Sequence, residues 1–113
     1  MTLNIPYPLT SNAASTAVAA SLVIKAAAGV LLTLSTHNNR GSTQYIQIFD
    51  AASLPSNGAV PLVVINMLTV TNSFLDFGQY GKSFATGIVV ANSSTLATLT
   101  IGSADCWFSA TFV

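Results

Sequence analysis

The sequence predicts an all-β fold: an antiparallel β-sandwich of about eight short strands, with an extended N-terminal arm. Three observations predict it. From residue 13 onward apolar and polar residues alternate with a period of two. Turn residues interrupt that alternation roughly every eight to twelve positions. β-Branched and aromatic residues crowd the segments between.

Residues 1–12 read as an arm, with residues 13–113 as the single β-domain. Pro6 and Pro8 bracket Tyr7, excluding helix and driving the preceding residues extended. Ile5, Tyr7 and Leu9 are apolar hooks that a neighbouring subunit could accept. The mostly apolar stretch 13–32 is read as strands rather than a membrane span, because Lys25 and Gly29 interrupt it. Around 21–27, Leu22, Ile24 and Ala26 oppose Ser21, Val23 and Lys25. Over 30–37, Val30, Leu32 and Leu34 oppose Thr33, Ser35 and His37. HNNRGS is a hydrophilic turn, TQYIQIFDA a strand closed by Asp50, and SLPSNGAVP a loop. PLVVINMLTV (61–70) reads as a strand buried on both faces. SFLDF is followed by the turn GQYGKS. GIVVANSS and TLATLTIG read as a hairpin around Asn92-Ser93-Ser94. In the last strand Cys106, Phe108, Ala110 and Phe112 share one face, with Asp105, Trp107, Ser109 and Thr111 on the other.

The composition narrows the function. Only 5% of the 113 residues are charged, against 51% hydrophobic, and the net charge is zero; an ordinary domain is about 25% charged. A folded chain of this size exposes roughly 6,000 Å², or about one charge per 1,000 Å². Such a surface has little to oppose association, which points to an assembly subunit. Nucleic acid is not expected as a partner, since no basic cluster exists to neutralise phosphates. No basic region precedes an apolar run at the N-terminus, so no secretory signal is expected. The single cysteine excludes an internal disulfide.

No catalytic, cofactor or metal site is expected. His37, the only histidine, reads as a solvated turn residue beside Arg40, without a nucleophile or orienting acid in any motif. Gly81-Lys82-Ser83 resembles the end of a phosphate loop, but Asp76 stands where that pattern requires glycine. Asp50 and Asp105 sit at strand ends, where aspartate serves backbone hydrogen bonding. Asp76 is read as an exposed edge residue or a partner of Lys82. Cys106 reads as a small buried hydrophobe. Trp107 either fills the far side of the sandwich or anchors a contact with another chain. Asn92-Ser93-Ser94 matches a glycosylation sequon, but nothing else in the sequence suggests secretion.

The ordered segments VIKAAAGVLLTLS, TQYIQIFDAASLPSNGAVPLV, FATGIVVANSS and ADCWFSATF together resemble small single-domain β-sandwich virion proteins of tailed bacteriophages. The likeness spans roughly residues 20–112 and rests on scaffold motifs. It implies a jelly-roll-like sandwich, symmetric oligomerisation (a homotrimer would suit a three-fold position on the shell) and a place on the phage particle after synthesis in the host cytoplasm. A capsid decoration, or cement, protein bound to the major capsid protein is the first expectation. A tail, fibre or baseplate component with a receptor- or glycan-binding role is the alternative. Ile5, Tyr7, Leu9 and Trp107 are the candidate inter-subunit contacts.

Overall fold

Short β-prone runs divided by turns become two antiparallel sheets packed face to face. The computed structural model describes residues 9–113 and contains, among them, nine strands and no helix. They are β1 (Ser11–Ala14), β2 (Ser21–Lys25), β3 (Gly29–Asn38), β4 (Gln44–Asp50), β5 (Val63–Met67), β6 (Thr71–Asp76), β7 (Lys82–Phe84), β8 (Ile88–Ser93) and β9 (Cys106–Phe112). One sheet has the order β1-β9-β3-β6, with β7 also paired to β3, and the other β2-β8-β4-β5. β1 begins at Ser11, so its ladder takes in the last two residues of the segment assigned to the arm.

β3 is the longest strand because it serves both neighbours. Its first three residues pair with β7 and Thr33–Asn38 with β6. The chain leaves and rejoins this edge through the turn 77–81, held by the Phe77 N–H on the Leu32 carbonyl (2.9 Å). Gly81 closes that turn at φ +68°, and a Cβ there would lie 2.5 Å from Val30 Cγ1 and 2.7 Å from the Leu31 carbonyl oxygen. Both the backbone geometry and the space call for glycine. Opposite this point the β3–β9 register shifts between Leu31 and Thr33. The irregularity changes the parity of the strand, so Leu31 and Leu34 are buried, where strict alternation had placed Val30, Leu32 and Leu34 together.

The main core fills the space between the sheets, with Leu31, Leu34, Ile46, Ile48, Val90 and Phe108 among its buried members. β9 divides as its alternation predicts: Cys106, Phe108 and Ala110 inward, Trp107 and Ser109 exposed. A second, smaller core lies on the outer face of the four-stranded sheet. There Phe49, Val89, Ala91 and Leu99 are buried with partly buried Leu54 and Ala59, so the loops after β4 and β8 drape over that face. Gln47 pins the drape, its Nε2 donating to the carbonyls of Thr95 (2.8 Å) and Leu96 (3.0 Å).

Two expectations change in consequence. β8, rather than β5, is the strand buried at every position, whereas β5 lies at a sheet edge with exposed Val64 and Asn66. TLATLTIG forms no strand; only Ile101 bridges back, to Ser93. The sequon asparagine is fully buried and donates through Nδ2 to the Ser103 carbonyl (3.0 Å), so a glycosyl transferase has no access to it in the folded chain.

Candidate binding face of the five-stranded sheet

Over β4 and β8 the outer face of the four-stranded sheet is covered by its own loops; that of the five-stranded sheet holds an open groove. Strand register assembles it. His37 on β3 stands opposite Trp107 on β9 and Asn72 on β6. In the adjacent row Ser35 stands opposite Ser109 and Phe74, while Ser109 faces Ala14 of β1. Because side chains two apart share a face, these rows form one continuous surface. The groove has a volume of about 580 Å³, and none of its lining residues is an Asp, Glu, Lys or Arg. Phe74 and Trp107 rise at diagonal corners, 62% and 40% exposed. Their strands lie two inter-strand spacings apart, about 10 Å.

His37 therefore belongs to the middle of this face, within β3, and not to a solvated turn. Its Nδ1 is hydrogen-bonded to Asn72 Oδ1. With the amide oxygen as acceptor, Nδ1 carries the hydrogen, and Nε2 points away from this bond.

Of the candidate contacts, Trp107 is on this face and Leu9 is not. Leu9, 75% exposed, precedes the end of β1 that pairs with Phe112, whereas Trp107 is at the opposite end of β9. Ile5 and Tyr7 lie outside the described residues. Asn72, Phe74 and His37 are the groove residues that sequence reading missed. Alternation along TNSFLD does group Asn72 with Phe74, but nothing local says that their face is open.

The aspartates are engaged structurally. Asp105 accepts from Arg40 Nη1 (3.0 Å) in a half-exposed ion pair. Asp76 Oδ1 accepts the Gly78 N–H (2.8 Å), turning the chain rather than pairing with Lys82. Asp50 accepts the backbone N–H groups of Thr86 (2.8 Å), Ala85 (3.1 Å) and Gly87 (3.2 Å). Cys106 is fully buried, and desolvation, helped by the Asp105 charge, pushes its thiol up to about 11. Among the described residues no three His, Cys, Asp or Glu side chains gather where they could hold a metal ion, and no helix is long and apolar enough to cross a membrane.

The Thr86 N–H above all, with those of Ala85 and Gly87, holds the Asp50 carboxyl below its ordinary 3.8 against partial desolvation. The folded state thus favours the carboxylate. Its stabilisation is complete above that ordinary value and is lost as pH falls through the lower folded value. Asp50→Asn is accordingly expected to lower the melting temperature at neutral pH. The gap to wild type should shrink in strong acid, as followed by thermal melts across a pH series.

Comparison with protein-family models, with curated proteins and with solved structures finds no match to this chain.

Proposed function

We propose that the chain is a non-enzymatic structural protein of a phage particle, a decoration or cement protein that oligomerises and strengthens the head shell by binding the major capsid protein. The observation that carries this reading is the unguarded surface. The accessible area is 6070 Å², shared by six charged side chains, two of which are spent on each other in the Arg40–Asp105 pair. Residues 60–70 contain no charge, and Leu62, Val64, Leu68 and Val70 are exposed along or beside the edge strand β5. Free edges are ordinarily blunted by charge, proline or a cover. An apolar, uncharged edge suits a partner, because burying it incurs no desolvation of ions.

The connectivity adds support. Leaving aside the short β7, the ladders β1–β9, β2–β8, β3–β6 and β4–β5 nest first with last, inward to the middle. That nesting favours a jelly roll, an architecture used in viral capsid domains, although fold alone does not assign function. A trimer would match a three-fold position on an icosahedral shell.

Light scattering and sedimentation of the purified chain at micromolar concentration test the oligomer; a stable monomer overturns it. Labelling of intact particles then separates shell from tail, since a decoration protein is present at capsomer stoichiometry and a tail component at that of one appendage. The tail reading, a fibre or baseplate module with a receptor-binding role, is favoured by one observation: the open groove beside Trp107.

A further inference from the structure

We infer that the groove between Trp107 and Phe74 is a binding site for a neutral saccharide. A sugar ring offers an apolar C–H face and a fringe of hydroxyls, and the groove supplies the complement of both. The exposed indole of Trp107 and ring of Phe74 are flat apolar platforms. Between them stand His37 and Asn72, joined through Nδ1 and Oδ1, with Ser35 and Ser109 in the adjacent row. The imidazole Nε2 and the Asn72 amide remain able to bond hydroxyls, which act as donor and acceptor at once. No carboxylate or cation lines the groove, so nothing selects an acidic or basic ligand. At about 580 Å³ it falls within the roughly 300–1,000 Å³ of small-ligand sites. Platforms roughly 12 Å apart, diagonally across three strands, let a short oligosaccharide lie over both. A protein partner would be expected to prefer the apolar β5 side, where no polar cluster must be desolvated. The site does not depend on the head or tail location of the chain, because either surface can meet a glycan.

Trp107 is the only tryptophan, so its emission reports on this groove alone. The full-length chain is titrated with neutral gluco-, galacto- and N-acetylglucosamine oligosaccharides, and heats of binding are measured in parallel. At least one probe is expected to shift and enhance the emission, with a matching calorimetric isotherm. Trp107→Ala and Asn72→Ala are each expected to weaken that binding about tenfold or more. Val64→Ser, on the β5 edge, should leave it unchanged. Melting curves of the variants serve as the folding control, and Phe74→Ser provides a second groove variant if either fails to fold. The inference is overturned if no probe changes emission or heat, or if the groove variants bind like wild type. It is equally overturned if the emission responds only to protein dilution, which makes the groove a contact between copies. Failure of the oligomer test leaves this result untouched, so the two proposals fail separately.

Discussion

Phe108→Ala is expected to remove about 3–5 kcal/mol of stability, a large part of the roughly 5–15 kcal/mol that a domain possesses. Phe108 is 1% exposed and is the largest of the fully buried side chains. It projects from β9, which is flanked by β1 and β3, into the core shared with the facing sheet. Its backbone is held on the β1 side by the Ser15 N–H on its carbonyl (2.8 Å) and by its own N–H on Ser15 Oγ (3.2 Å). With the strand fixed at that point, the surroundings have little freedom to collapse into the cavity left by the ring. Denaturant titration measures the loss, and the neighbouring Cys106 thiol, buried and pushed up to about 11, reports it independently by reacting faster with a thiol reagent. Phe74→Ala, which removes a ring on the outer surface, is expected to stay within about 0.5 kcal/mol of wild type. Equal losses in the two variants would contradict this account of the core.

Gly87→Ala is expected to cost about 2–4 kcal/mol, from overpacking and the loss of one or two backbone hydrogen bonds. A Cβ at Gly87 would stand 2.3 Å from the Ala51 carbonyl oxygen and 2.8 Å from Ala52 Cα. These are backbone atoms at the end of β4, so no side chain can swing away to make room. The same junction carries the Ala51 N–H on the Gly87 carbonyl (3.2 Å) and the Asp50 carboxylate on the turn before β8. Separating β4 from β8 breaks both. At roughly 4–8 °C per kcal/mol for a domain near this size, thermal melts resolve the effect readily. Gly41→Ala is the control: nothing lies within 4 Å of its added methyl group, and a melting temperature close to wild type is expected. A similar drop at both positions would contradict the close approach as its cause, since the chain-entropy effect of Gly→Ala is stabilising.

The strands themselves were legible in the sequence because a period of two is a local property. The division of β9 into a core face with Phe108 and an outer face with Trp107 follows from alternation alone. Alternation survives only where the ladder is regular. At the β3 irregularity, where Leu31 replaces Leu32 as the buried residue, the parity changed because the β3–β9 ladder shifts register between Leu31 and Thr33. The roles of β5 and β8 were not legible either. VVINM and IVVANS are nearly equivalent in apolar content, yet one lies at an edge and the other is enclosed on both faces.

What the residues determined unaided is a nearly uncharged all-β chain, with its turns and most of its strand faces. The tertiary structure decided which outer face stays open. Loops after β4 and β8, distant in sequence, bury the middle of one of them, and Asn92 is fully buried with its amide on the Ser103 carbonyl. On the other, three strands remote along the chain bring Trp107, His37 and Asn72 into one row. Covering and register are long-range properties, and no short-range pattern of hydrophobicity encodes them.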